Sequence, residues 1–369
     1  MTAKVPGRGR DASSEPAPSA KVPGRGRDAS SEPAPSAPPY LDGVLAQPDN
    51  LWRSAAAVQA ALAGVTGAAA YAMLGTGRIV ALGIGASGAA AAGFAAALRG
   101  VGRAAVAVNP ADLVEAVPAG LGDGYVAISQ SGRSRETVEV LAAIEPGRRI
   151  GVTNDPGAPL AAVVDAVLPL ACDEDTRVST LSYTATLQAL GLLVDALAGR
   201  SSPWPAVLAQ FATTVLGADV QRVAETLATV SSVDVIGSGV RSASAGAAAL
   251  LLREAADLPT AGYATREYLH GHLETAGPGR GALLFGAGQE PRLAADLAAL
   301  GCAVVLVTNA DGGLSAHPNL HVVRLPSLPG LAGCVLDILP VQLAAHRLAE
   351  LSGRPIELRR MPADTKLPP

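Results

Sequence analysis

Three segments in the first half of this chain return, in the same order, in the second. Residues 80–88 (VALGIGASG) match 234–242 (DVIGSGVRS), 125–129 (YVAIS) match 282–286 (ALLFG), and 151–155 (GVTND) match 306–310 (LVTNA). Thr153 follows Gly83 by 70 residues, and Thr308 follows Gly237 by 71. Matched order at near-equal spacing limits the fold to two similar units. Within each unit, short apolar runs alternate with stretches of helical periodicity. Strands are predicted over residues 78–83, 104–108, 125–128, 149–152 and 166–170, and again over 233–236, 281–285, 303–307 and 320–325. Helices are predicted over 51–73, from the turn at 83–88 to about 98, from Val178-Ser179-Thr180 to Leu197, and over 244–256, with an irregular segment before 267–270. Alternating strands and helices imply α/β architecture: two doubly wound parallel sheets with ligands at the carboxyl ends of the strands.

At 369 residues the chain has room for two domains and a large core. Residues 3–19 (AKVPGRGRDASSEPAPS) recur without change as 20–36. That stretch is rich in Pro, Gly, Ser and charge and has almost no large apolar residue, so it reads as a disordered leader, 1–39. The first domain is expected over 40–200, and Ser201-Ser202-Pro203-Trp204-Pro205 reads as a linker. The second domain is expected over 206–350, with a tail over 351–369.

The stretch with the most chemistry is residues 123–141 (DGYVAISQSGRSRETVEVL). An apolar strand stops at Ser129-Gln130-Ser131-Gly132, and a helical pattern through Val138, Val140, Leu141 and Ile144 follows. Free backbone N–H groups at the start of a helix, with Ser129, Ser131, Ser134 and Thr137 nearby, suit a phosphate. An ordinary capped helix would use the same residue types. The loop lacks the Gly-Lys-Ser/Thr of a Walker sequence and the GxGxxG of a dinucleotide fold. The second half has Gly286-Ala287-Gly288-Gln289 at the matching place, without the hydroxyls, so only the first half is expected to hold an anion there.

A net charge of −4 offers no basic field for nucleic acid. Cys172, Cys302 and Cys334 are odd in number, scattered and in apolar surroundings, which points to buried thiols in a reducing compartment. No apolar run reads as long enough to span a membrane, and no secretory signal is evident, so a cytoplasmic protein without membrane partners is expected. His270-Gly271-His272 invites a metal, but positions i and i+2 lie on different helix faces and no third ligand is near. Neither a metal nor another cofactor is expected. Glu254 beside Arg253 fits a solvated helix face, and His270 three residues after Glu267 fits a local pair. His317, His321 and His346 read as loop or surface residues.

Taken together, these residues resemble the sugar isomerase (SIS) family in its tandem form. That form includes the isomerase half of glucosamine-6-phosphate synthase, amino-sugar-phosphate deaminases and fructosamine-phosphate deglycases. The resemblance covers roughly residues 45–350 and is most specific at Ile128–Ser134 with Glu136-Thr137. It implies that Ser129, Gln130, Ser131 and Ser134, with Ser87 from the first glycine turn, hold a sugar's phosphate, and that Ser179-Thr180 closes the pocket. It implies Glu254 as the base that moves a proton between C1 and C2. His270, from a partner subunit, would help open the ring, and a homodimer is therefore expected. The resemblance implies that Lys366 corresponds to an essential lysine near the carboxyl terminus, although a frayed chain end fits the segment equally well.

The chain departs from the pattern at Leu251, where the synthase has a lysine, and at His272, where proline is usual. A glutaminase domain is absent from the sequence, so amination by glutamine is not expected. Aldose–ketose exchange needs one base on one face of an enediol, a role for a carboxylate shielded from water. Ring opening suits a histidine, and the phosphate grip supplies orientation. The leading expectation is an enzyme that isomerises a hexose or hexosamine 6-phosphate with release of an amine. An ammonia-using isomerising aminotransferase is the second, and a phosphosugar sensor without turnover is the third.

Overall fold

The computed structural model describes residues 37–369, apart from 218, 311, 361, 363 and 369 and the side chains of 212, 213 and 215–217. Of the leader expected over 1–39, residues 1–36 lie outside the described residues. Among the described residues, ten strands form two sheets. The first contains β1 (Ile79–Leu82), β2 (Ala105–Val108), β3 (Gly124–Ile128), β4 (Arg149–Thr153) and β5 (Ala166–Pro169). The second contains β6 (Ser232–Gly237), β7 (Thr260–Tyr263), β8 (Arg280–Phe285), β9 (Ala303–Thr308) and β10 (Leu320–Arg324). The orders are β2-β1-β3-β4-β5 and β10-β9-β8-β6-β7, and every pairing is parallel. Read from its first strand, each sheet has the same doubly wound order, so the duplication seen in the sequence is a duplication of topology. Strands such as Ile79-Val80-Ala81-Leu82 are buried throughout, which is why they read as unbroken apolar runs.

The nine expected strands form, within one or two residues of the limits read from the sequence. β7 is the tenth, in the segment expected to be irregular. Thr260-Ala261-Gly262-Tyr263 has too little apolar bulk to announce a strand. It pairs with β6 on one side only and lies where Gly262 comes against Gly246: an added Cβ would be 3.4 Å from the Gly246 Cα. The long helix expected over 51–73 is broken. Gln47–Ala63 and Val65–Leu74 meet at a 69° bend, because Gly64 takes an extended backbone (φ −105°, ψ −151°). The stretch read as a linker is also corrected. A helix, Trp204–Gly217, begins inside it, and Trp204 is buried against Gly191, where a Cβ would meet the indole at 2.4 Å.

Residues Ala37–Pro369 form one compact unit with a continuous apolar core contributed by both sheets. Its centre is a layer of helices between the sheets: Ala86–Gly100, Leu181–Ala198, Ser242–Ala256 and Gly330–Ser352. Leu181–Ala198 and Gly330–Ser352 have the length and composition to cross a membrane, contrary to the expectation that no segment does. However, 83% of the 18-residue apolar window in each is buried inside the protein, so their apolar character reflects burial in this layer. The three cysteines are free and buried, and burial pushes the thiols of Cys172 and Cys334 up to about 12.

The helices that follow β1 and β6 cross on small residues, and this crossing sets the distance between the two halves. A Cβ on Gly93 would lie 2.6 Å from the Ala243 Cβ and 2.9 Å from the Val240 carbonyl; one on Gly246 would lie 2.9 Å from the Ala89 Cβ. Gly93→Ala is therefore expected to destabilise the fold by about 1–3 kcal/mol through overpacking, although alanine favours helix by about 1 kcal/mol. Urea unfolding checks this; a variant as stable as the parent would mean that the crossing is loose.

Candidate functional site

β1 and β3 are neighbours, and the loops that leave their carboxyl ends form the switch point of the first sheet. After β1 the chain turns at Gly83 and Gly85. A Cβ on Gly83 would be 2.5 Å from the Ser87 carbonyl, and Gly85 has φ +62°, so the turn is closed to larger residues. Ser87 follows, half-buried, in the first turn of the helix. After β3, Ser129 is buried and its Oγ lies 3.0 Å from the Ser134 Oγ. Gly132, at φ +63°, folds the loop back so that its N–H donates to the Ser129 carbonyl at 2.9 Å. Gln130 is held through its carbonyl, which accepts from Asn154 N–H at 2.9 Å and from the Thr153 hydroxyl at 3.2 Å. Ser131 stands at the tip, part-buried.

The helix Arg135–Ala142 starts directly behind this loop. Ser134 makes no side-chain cap, its hydroxyl being turned to Ser129. Among the described residues, the Thr137 hydroxyl is buried without a partner. Two hydroxyls, an orphaned third and a helix start around one loop are the arrangement that suits an anion.

The second sheet offers the same place to its own carboxylate. Glu290 opens the helix after β8 and is buried, with Oε2 accepting from Gly288 N–H at 3.1 Å and Oε1 from the Thr265 hydroxyl at 2.5 Å. A Cβ on Gly286 would lie 2.4 Å from Oε2, so the carboxylate sits within the loop. Glu290→Ala leaves the buried Thr265 hydroxyl and the part-buried Gly288 N–H unmatched and is expected to cost about 1–3 kcal/mol, while Glu290→Gln keeps an acceptor and costs less. Chemical denaturation of both variants checks the ranking, and equal losses would contradict it.

Glu254 lies on the face of Ser242–Ala256 turned to the first domain. One turn earlier, Leu250 Cδ2 is 3.5 Å from where a Gly85 Cβ would be, which brings this helix against the first glycine turn. A small cavity there is lined by Ala86, Ser179, Tyr183, Leu251, Glu254 and Gln342, with Ala247, Leu250 and Ile338 completing its wall. The apolar wall and burial push the Glu254 carboxyl above the usual carboxylate range. Leu251, at the position where lysine was the resemblance's expectation, is buried in this wall.

Ser179 shares the cavity with Glu254, but its hydroxyl and those of its neighbours are already committed. Asp175 accepts from Ser179 Oγ at 3.2 Å, Thr180 N–H at 3.1 Å, Thr180 Oγ1 at 2.9 Å and Ser182 N–H at 3.1 Å, and also from Ser182 Oγ. This carboxylate thus caps the helix Leu181–Ala198 from outside. Asp175 was missed from the sequence; an acid five residues before a Thr that opens an apolar helix was the available signal. Gln342 was missed as well. Its amide links the cavity to Gln47 at 2.8 Å, and Gln47 in turn accepts from Thr184 at 2.7 Å.

His270 and Lys366 fall on opposite sides of this picture. His270 is exposed at the end of the short helix Thr265–Tyr268, and the structure does not bring it to the Glu254 cavity of its own chain. Its neighbour His272 packs at a tilt of 36° against Tyr263, with ring centres 4.2 Å apart. Lys366 pairs with Ser134 in an isolated antiparallel bridge, so the carboxyl-terminal segment runs beside the anion-type loop. Lys366 is exposed.

Two doubly wound sheets of identical order on one core, with a hydroxyl-lined turn kept in only one of them, define a duplicated α/β protein. Residues 73–196 match the SIS domain family. It is 25% identical over 257 residues to the isomerizing glutamine–fructose-6-phosphate aminotransferase of Rhizobium leguminosarum bv. viciae, covering 63% of this chain and 42% of the relative. The corresponding aminotransferase of Aeropyrum pernix is 27% identical over 252 residues, covering 62% of this chain and 40% of the relative. The chain thus spans about two fifths of the length of the curated relatives it matches.

Among solved structures, the carboxyl-terminal domain of the Francisella tularensis glucosamine-fructose-6-phosphate aminotransferase superposes with a TM-score of 0.72 at 18% identity, over 86% of this chain and 97% of that one. Glucosamine-6-phosphate deaminase from Thermotoga maritima gives 0.66 at 18% identity, over 86% and 96%. Tagatose-6-phosphate ketose/aldose isomerase from Escherichia coli gives 0.71 at 18% identity, over 87% and 96%. At these identities the superpositions establish the shared fold.

Proposed function

We propose that this chain is an enzyme acting on a hexose or hexosamine 6-phosphate, with aldose–ketose isomerisation coupled to hydrolytic release of an amine, water supplying the carbonyl oxygen that replaces the C–N bond. The observation that carries the reading is Glu254: a carboxylate raised by burial, in a cavity that opens between the first glycine turn and Ser179. The loop Ser129–Ser134, with Ser87, grips the phosphate and so presents C1 and C2 to that carboxylate. Glu254 takes the proton from one carbon and returns it to the other on the same face. Lys366 brings an ammonium to the sugar carbonyl. The chain has lysine at only three positions, 4, 21 and 366, against 28 basic residues in all, and the first two lie in the tandem leader. Every other basic residue is arginine, whose planar guanidinium does not present a compact amine, which supports a use for the amine at 366.

In this reading the active unit is a homodimer, with His270 of one copy reaching the cavity of the other to open the ring. A monomer in solution that turns over substrate would overturn that part. The whole proposal is tested by incubating the protein with glucosamine 6-phosphate and N-substituted fructosamine 6-phosphates and measuring ammonia or free amine. A folded protein that releases none from any of them is not this enzyme. Lys366→Ala is expected to lower kcat about 100-fold with phosphate affinity held, in line with the usual yield of one positioned proton donor; an unchanged kcat removes Lys366 from the site.

Leu251 supports a second reading, a phosphosugar sensor without turnover, since it puts an isobutyl group in the cavity wall. Saturable binding of the same sugar phosphates with no product, in a homodimer, would decide for it.

A further inference from the structure

The carboxyl-terminal segment is fixed to the loop beside it by more than the single bridge. The Leu367 N–H donates to the Arg133 carbonyl at 2.8 Å, and the Arg135 N–H donates to the Thr365 carbonyl at 3.2 Å. Both side chains of the loop's arginines then reach across: Arg133 Nε donates to the Leu367 carbonyl at 2.8 Å, and Arg135 Nε donates to the Asp364 carbonyl at 2.8 Å. The Leu367 side chain packs on the apolar cluster that includes Val80, Leu82 and Val138.

The register has a consequence for direction. Ser134 and Lys366 are the directly opposed pair, and the backbone bonds come from the residues on either side of them. In an antiparallel pair of this kind the Cα atoms are about 4.5 Å apart and the opposed side chains leave on the same face. The Ser134 hydroxyl leaves toward Ser129, and Leu367, one residue on from Lys366, leaves the other way into the core. Lys366 is thereby aimed to the hydroxyl face of the loop.

We infer that Arg133 and Arg135 are positioning residues: their guanidinium groups lock segment 364–367 in register on the anion-binding loop, so that the grip on the phosphate and the amine of Lys366 form one rigid unit. Two arginines flanking Ser134 are suited to this, because a guanidinium keeps its charge and makes a charge-assisted bond to a carbonyl. The inference rests on the reading of Lys366 given above.

The test uses the full chain with Arg133→Met and Arg135→Met, singly and together, their lysine counterparts, and Lys366→Ala alongside. Hydrogen exchange at the Leu367 and Arg135 amides reports the register, and inorganic phosphate titration reports the grip. Kinetics with the panel substrate report the amine. Each methionine variant is expected to lose about tenfold in kcat and to gain about tenfold in amide exchange, the yield of one charge-assisted hydrogen bond, with the phosphate Kd within about twofold. The lysine counterparts, able to donate one bond, recover part of both. Unchanged exchange, or faster exchange with kcat unchanged while Lys366→Ala is inactive, overturns the inference. Full activity of Lys366→Ala removes Lys366 from the site instead, and the exchange data then still decide whether the arginines hold the tail.

Discussion

Glu254→Gln should abolish turnover, by a factor of about 10²–10⁴, while inorganic phosphate binds as in the parent. The separation follows from where the groups sit. The carboxylate belongs to the helix of the second domain, and the hydroxyls belong to the turns of the first. A change from carboxylate to amide keeps shape and removes only the base. The pH profile gives a second signature. Burial holds the folded carboxyl above its ordinary range, and the base must be ionised to work, so kcat/KM should fall on the acid side at a pH higher than an exposed glutamate gives.

Stability should move the opposite way. A carboxyl whose folded pKa is raised supports the fold below its unfolded pKa, and that support is lost as pH rises through the folded value. At pH 7.5 the neutral glutamine avoids this loss, so the variant should melt at a higher temperature than the parent. The gap should close at pH 3, below both values. A variant that is inactive and also less stable at pH 7.5 would mean that Glu254 is held by a structural partner, and the assignment as base would fail.

The parts of this fold that were legible in the sequence are those in which one residue pattern serves one purpose. Strands β1, β3, β8 and β9 are buried on both faces, which explains a run such as Val304-Val305-Leu306-Val307. The repeated glycine turns were legible for a steric reason: the approach of the backbone at Gly83 and at Gly237, where a Cβ would meet the Arg241 carbonyl at 2.8 Å, admits nothing larger. β7 was not legible, because it is an edge strand of small residues selected for closeness to Gly246. The helix Gly330–Ser352 was not either. It is apolar on all sides, and it contains Pro340, which reads as a breaker and is tolerated inside a buried helix.

The site divides along the same line. Ser129 and Ser134 could be named because strand, hydroxyls, glycine and helix follow each other within one short stretch. The neighbours of Glu254 come from helices far apart in the chain, and spacing says nothing about them. Asp175 and Glu290 show what local pattern hides. Each is an acid near a helix start, which is common, and each turns out to fill a place where donors converge. The absence of hydroxyls from Gly286-Ala287-Gly288-Gln289 was visible; that a carboxylate had taken their place was not.

Gly132→Ala should damage both the fold and the grip on phosphate, and Gly147→Ala is its control. Both glycines have left-handed backbones, with φ +63° and φ +87°. An L-residue there costs about 1–2 kcal/mol. They differ in what a Cβ would meet. At Gly147 nothing lies within 4 Å, whereas at Gly132 the new atom would stand 2.5 Å from the Ala158 Cβ and 2.9 Å from the Thr153 Oγ1. Ala158 is pinned, since the residues around it bond back to the loop: Leu160 N–H donates to the Gly132 carbonyl at 2.9 Å. Thr153 Oγ1 is the donor that holds the Gln130 carbonyl at 3.2 Å. The clash can be relieved only by moving the loop, so about 1–3 kcal/mol of overpacking adds to the backbone cost at Gly132 and not at Gly147. A loop moved by that much no longer sets Ser129 and Ser134 at 3.0 Å, and phosphate affinity should fall by about tenfold or more, the loss expected when one hydrogen bond to an anion is removed. Urea unfolding and phosphate titration of the two variants decide the matter. Equal stability losses would show that the loop yields freely, and unaltered phosphate affinity in Gly132→Ala would place the anion elsewhere.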